Sequence, residues 1–186
     1  MQSRTRVVYT TGLLGTGQPG DRVPRARQSA AASRLLERLV GHEGRPLASS
    51  KSHSRSAIAV AMSVGAEHPL GIDIEWITPA RPVAMIARSF LGDTGRMIGV
   101  ADFYRGWTFY EAFFKAFQRS PSPARVLELI ERPDLRSVHR LGDGTKVLQH
   151  RLADAFQLSL VWSGDDDSIP LYREDLAYID SQNAGQ

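Results

Sequence analysis

The sequence predicts an α+β fold, and three observations carry that expectation. Apolar residues recur at helical spacing over 28–40 and 102–118. Short apolar or alternating runs at 57–62, 71–77 and 156–162 have the length and period of strands. The strands in the second half are joined by a hairpin signal rather than by helices, which points to antiparallel sheets.

Taken in order, Arg6–Thr11 reads as a strand built on Val7, Val8 and Tyr9. Residues 12–28 are rich in Gly, Pro and Arg and read as a long loop. The run Gly12-Leu13-Leu14-Gly15-Thr16-Gly17 superficially resembles a phosphate loop, but Gln18 stands where that loop needs lysine, and no helix-starting Ser or Thr follows. Gln28–Val40 is expected to be a helix, with Ala32, Leu35, Leu36, Leu39 and Val40 as its apolar stripe and Gly41 as its stop. Gly44-Arg45-Pro46 is a turn. Ser52-His53-Ser54 leads into the buried strand Ala57–Met62, and Gly71–Ile77 is the next strand. These two are expected to pair through the Gly65–Pro69 turn, which would place His53 and Asp73 near each other.

Pro79 and Pro82 interrupt the chain and mark 78–82 as a hinge, dividing it into 1–78 and 79–186. Val83–Phe90 reads as a helix, and Asp102–Gln118 as a longer, aromatic-rich one ended by Ser120-Pro121-Ser122-Pro123. A β-meander follows. Arg136–Leu141 and Thr145–Leu152 flank the turn Gly142-Asp143-Gly144, and Phe156–Trp162 supplies the third strand. The acidic stretch from Asp165 has no recognisable task.

At 186 residues the chain is long enough for one substantial domain or two small lobes. It has no cysteine, which excludes disulfides, thiolate nucleophiles and cysteine-zinc sites and fits a reducing cytoplasm. No apolar run approaches a membrane span, and the N-terminus lacks the apolar core of a signal peptide, so no membrane association is expected. The net charge of +3 is uneven. Residues 1–56 hold ten Lys/Arg against three Asp/Glu, a net of +7, and the remainder is net −4. The basic first third suits an anionic partner, such as a phosphorylated ligand, an acidic protein or nucleic acid, or is a solvated arginine-rich surface.

Two segments concentrate the chemistry. In Gly71-Ile72-Asp73-Ile74-Glu75, strand periodicity puts Asp73 and Glu75 on one face. In Trp107–Ala116, helical periodicity stacks Trp107, Glu111 and Lys115. If the two elements meet, three carboxylates and an ammonium converge. Carboxylates so gathered repel unless a cation lies among them, and hard oxygen ligands point to Mg²⁺. Taken singly, Glu111 and Lys115 also read as a surface helix pair worth about 0.3–0.5 kcal/mol, and Asp73 and Glu75 as the solvent face of an edge strand.

The order Ser52-His53-Ser54, Gly71-Ile72-Asp73-Ile74-Glu75, Trp107-Thr108-(x)₂-Glu111-Ala112-(x)₂-Lys115-Ala116 resembles the 4′-phosphopantetheinyl transferases, specifically the monomeric surfactin-type group. The resemblance spans residues 44–118. It implies two similar lobes, each a small antiparallel sheet packed on a helix, with coenzyme A between them. It also implies Mg²⁺-dependent transfer of the phosphopantetheine arm to a serine of an apo acyl or peptidyl carrier protein by a cytoplasmic monomer. On that resemblance Asp73, Glu75 and Glu111 hold the metal, and Glu111 accepts the serine proton. Lys115 steadies the departing nucleotide, while His53, Ser52 and Arg45 contact the coenzyme. Trp107 anchors the helix. Arg22, Arg25 and Arg27 are candidates for the 3′-phosphate, because the stretch before Gly44 is short for the group. Tyr110 stands where the family has lysine, and the family's Phe-Ser-(x)₂-Glu pattern is absent after Phe90. Two other classes remain in play: a transferase-like protein that only binds coenzyme A or a carrier protein, and a basic nucleic-acid-binding module, which lacks any recognisable nucleic-acid motif.

Overall fold

A computed structural model describes residues 6–15, 20–93, 97–132, 137–164 and 170–174. The described residues form an α+β fold with four helices and two four-stranded sheets, antiparallel apart from one short pairing. The chain runs β1 (Arg6–Leu13), α1 (Arg25–Glu43), β2 (Ala48–Ser54), β3 (Ala57–Val64), β4 (Leu70–Trp76), α2 (Val83–Leu91), α3 (Val100–Phe117), α4 (Pro123–Glu131), β5 (His139–Arg140), β6 (Lys146–Leu152), β7 (Phe156–Trp162) and β8 (Leu171–Tyr172). The first sheet has the order β2-β3-β1-β8 and the second β4-β7-β6-β5.

Strand composition sets the layers. β3 is apolar on both faces, as a central strand covered on both sides must be. Its Ile58, Val60 and Met62 pack on Ala32, Leu35 and Leu39 of α1. Its Ala57, Ala59 and Ala61 face the second sheet, where they meet Ile72 and Ile74 of β4 and Leu158 and Leu160 of β7. The outer face of the second sheet is covered by α3, whose Phe103, Tyr104, Phe109, Ala112 and Phe113 are buried with α2 and α4 packed alongside. The order through the molecule is therefore helix, sheet, sheet, helix.

The meander β5-β6-β7 matches the sequence expectation, with Arg136 outside the described residues. The acidic stretch Asp165–Asp167 and the Thr16–Gln18 part of the glycine-rich run also lie outside them. Both long helices form within a few residues of their expected bounds.

Strand pairing departs from expectation at one decisive place. β3 and β4 do not form a hairpin: β4 pairs antiparallel with β7, with Asp73 opposite Ser159 and Glu75 opposite Gln157. Sheet membership thus changes between β3 and β4, at 65–69, and β8 returns to the first sheet beside β1. Asp73 and Glu75 consequently lie on the sheet that the Glu111 and Lys115 helix covers, and His53 comes from the other sheet. Alternation within 71–77 cannot distinguish the two pairings, because in either one Ile72 and Ile74 enter the same core between the sheets. Helix α4 was also missed. Ser122 caps it by accepting from Arg125 N at 3.4 Å, and Pro123 occupies its first position, so the Ser-Pro pair that ends one helix also starts the next.

Candidate active site

The site forms where the free edge of β4 meets β2 and α3. One edge of β4 is hydrogen-bonded to β7. On the other, the N–H groups of Ile72, Ile74 and Trp76 would lack ladder partners. Three serines of β2 supply them. Ser50 Oγ accepts from Ile72 N at 3.0 Å, Ser52 Oγ from Ile74 N at 3.4 Å and Ser54 Oγ from Trp76 N at 3.1 Å. This serine ladder stitches the two sheets edge to edge. The period-two run Ser50-x-Ser52-x-Ser54 is its sequence signature, and of it the family motif covers only the last two serines.

The same hydroxyls donate to the carboxylates. Ser52 Oγ donates to Asp73 Oδ1 at 2.7 Å and Ser54 Oγ to Glu75 Oε2 at 3.0 Å. From the helix side, Lys115 Nζ donates to Asp73 Oδ1 at 2.8 Å and to the Ile72 carbonyl at 3.0 Å. Lys115 therefore pairs with Asp73 across the elements rather than with Glu111 along its own helix. Glu75 is also held by Arg81 Nη2 at 3.2 Å and by the Trp107 indole N–H at 3.4 Å. Trp107 is thus both an anchor, stacked 7° from coplanar on Phe103, and a positioning group for Glu75.

Two features bring α3 this close. Gly71 lies under the helix backbone, where a Cβ would fall 1.9 Å from the Ala112 carbonyl oxygen and 2.8 Å from Ala116 N. Beneath the helix, Thr108 Oγ1 bonds Ser159 Oγ at 2.7 Å, and Gln149 Nε2 donates to Ser159 Oγ at 2.6 Å and to the Arg105 carbonyl at 2.8 Å. This buried polar network fixes the helix on β7 and so aims Trp107, Glu111 and Lys115 at β4.

Electrostatically the cluster is loaded. Burial pushes the Asp73 carboxyl up from 3.8 to about 6; Glu75 adds to the rise, and Lys115 and Ser52 oppose it. Burial also raises Glu111, with Glu75 adding and Lys115 opposing. Glu75 is therefore within electrostatic reach of both Asp73 and Glu111. Among the described residues, however, no three His, Asp or Glu side chains stand grouped so as to enclose a cation. The donors are all oxygen, the ligand type a hard cation takes, and Asp73 Oδ2 is buried without a hydrogen-bond partner.

His53 alternates with the serines and is held below its ordinary value, first by burial and then by Arg25, Lys115 and Lys51. Arg25 opens α1 and acts electrostatically on His53, but all three arginines singled out in sequence, Arg22, Arg25 and Arg27, are exposed. Arg45 is exposed in the α1–β2 connection and makes no contact with the carboxylates. Tyr110 is turned away from the cluster: its hydroxyl bonds Ser120 Oγ at 2.7 Å, and its ring stacks on Trp107. Sequence reasoning missed Arg81, the Ser50 rung and Gly71. Of these, Gly71 left the clearest trace, as a glycine inside a strand at the point where another backbone approaches closely.

Compared with known proteins, the chain matches no protein-family model and no curated protein sequence. No helix among the described residues is long and apolar enough to cross a membrane.

Proposed function

We propose that the protein is a 4′-phosphopantetheinyl transferase of the two-lobed kind, moving the phosphopantetheine arm of coenzyme A onto a serine of an apo acyl or peptidyl carrier protein with Mg²⁺. One observation carries this reading. The three motifs of the resemblance, far apart in the chain, meet at one place: Ser52 and Lys115 both donate to the same oxygen of Asp73. Each sheet with its covering helix, α1 on the first and α3 on the second, would be one lobe.

In this reading Asp73, Glu75 and Glu111 hold the metal, which would neutralise pyrophosphate charge on the reacting side. The carrier serine oxygen forms a bond to the phosphorus that bears the pantetheine arm. The bond from that phosphorus to the bridging oxygen breaks, and adenosine 3′,5′-bisphosphate leaves with the electron pair. Glu111 takes the serine proton. Burial brings its carboxyl closer to neutral pH, which suits a general base. Lys115 offsets the charge on the leaving phosphate, and His53 and Arg25 face the nucleotide. The basic first third would speed encounter with an acidic carrier protein. Cytoplasmic location and a monomeric state accompany the proposal.

Glu111→Gln separates catalysis from binding. The amide keeps the shape and one acceptor but cannot take a proton. Transfer should fall at least about 100-fold, while calorimetry still shows coenzyme A binding. Transfer at the unmutated rate would remove Glu111 from the role of base. Coenzyme binding with no transfer by the unmutated chain would favour the binding-only alternative.

A further inference from the structure

A pocket of about 330 Å³ opens next to Glu75 and is lined by Ser54, Arg55, Trp76, Thr78, Ala80 and Arg81. Two guanidiniums and two hydroxyls thus face one space, and the Glu75 carboxylate adjoins it through its bonds to Ser54 and Arg81. Arg55 is placed by the hairpin itself, at the first position of its loop. It sits in the two-residue β2–β3 turn with φ of 56°, a left-handed conformation that costs a non-glycine residue on the order of 1 kcal/mol. Its guanidinium lies 4.5 Å from the Trp76 ring centroid and makes no ion pair among the described residues. The backbone of Gly20 also packs on Trp76, where a Cβ would come 2.7 Å from the indole nitrogen.

Arg81 completes the pair. It lies 5.5 Å over the Tyr104 ring and spends one nitrogen on Glu75, which leaves other N–H donors of its fork free for the pocket. Thr78 Oγ1 accepts from Ala80 N at 3.2 Å, so its own hydrogen can turn outward.

We propose that this pocket, which adjoins the carboxylate cluster through Ser54 and Arg81, is an anion site that binds a phosphate monoester. Arg55 supplies a cation with no ion pair among the described residues, Arg81 supplies the N–H groups that Glu75 does not use, and guanidiniums pair bidentately with phosphate oxygens. The volume exceeds a phosphate group alone and lies in the range of small-molecule sites. The ester remainder would rest on the exposed part of Trp76.

The test is an NMR titration of the full chain with inorganic phosphate at constant ionic strength, followed through the indole N–H signals. The Trp76 signal should shift and saturate. Arg55→Gly, which relieves the backbone strain while removing the cation, should weaken binding at least about tenfold, as should Arg81→Ala. Arg125→Ala, whose partner is Asp143, should leave it unchanged. Repeating the titration with O-phosphoserine and with adenosine 3′,5′-bisphosphate distinguishes a phosphorylated side chain from a nucleotide as the source of the group. Asp73→Asn should bind phosphate at Trp76 as the unmutated chain does, so a failure of the transferase reading leaves this site standing. A non-saturating shift, or unmutated affinity in Arg55→Gly, would overturn the proposal.

Discussion

Replacing Gly71 by alanine should destabilise the fold by at least about 3 kcal/mol and disable the site with it. The added Cβ would sit 1.9 Å from the Ala112 carbonyl oxygen and 2.8 Å from Ala116 N. Both obstacles are backbone, so no rotamer change clears them. Either α3 lifts from β4 or β4 bends away from α3. Ala112 follows Glu111 and Ala116 follows Lys115, so any lift moves the two helix groups off Asp73 and Glu75. A displacement near 1 Å in a catalytic arrangement costs on the order of 100-fold in rate. Urea unfolding should show a lower midpoint, and any folded fraction should be nearly inactive. An unchanged midpoint would mean that the helix does not approach β4 as closely as described.

Asp73→Asn should raise stability and abolish transfer. The Asp73 carboxyl is raised from 3.8 to about 6 in the folded protein. A raised folded value means that the native state binds the proton more tightly than the unfolded chain does. The stability from this group is therefore complete below about pH 4 and is lost as pH rises through about 6. At pH 8 the ionised Asp73 costs roughly 3 kcal/mol, and an amide, which still accepts from Lys115 and Ser52, avoids that cost. In the presence of EDTA, thermal unfolding of Asp73→Asn should occur several degrees above the unmutated chain at pH 8, with the difference vanishing near pH 4. Added Mg²⁺ should stabilise the unmutated chain and not the variant. Transfer should fall at least about 100-fold, since a ligand matters no less than the outer groups that support one. A variant less stable at pH 8 would show that Asp73 is held by a structural ion pair rather than strained for function.

Local pattern made much of this legible. The helical stripe through Ala32, Leu35 and Leu39, the aromatic helix and the turn at Gly142-Asp143-Gly144 all announce themselves over short windows. The shared faces of Asp73 with Glu75 and of Glu111 with Lys115 were legible because strand and helix periods align those positions. What stayed hidden was non-local. Which edge β4 uses depends on β7, more than eighty residues later in the chain. Lys115 chooses Asp73 over Glu111 only because Gly71 lets the helix come close. The Arg55–Trp76 contact joins residues of two different sheets and follows no spacing rule. The two-residue β8 is too short to carry a pattern at all.

The proposed function is group transfer to a carrier-protein serine. The direct measurement is the intact mass of several apo acyl and peptidyl carrier proteins after incubation with this protein, coenzyme A and Mg²⁺. The account predicts that at least one gains the mass of a single phosphopantetheine group, and that the gain requires the metal. No gain on any carrier, under conditions where a known transferase modifies them all, would contradict it.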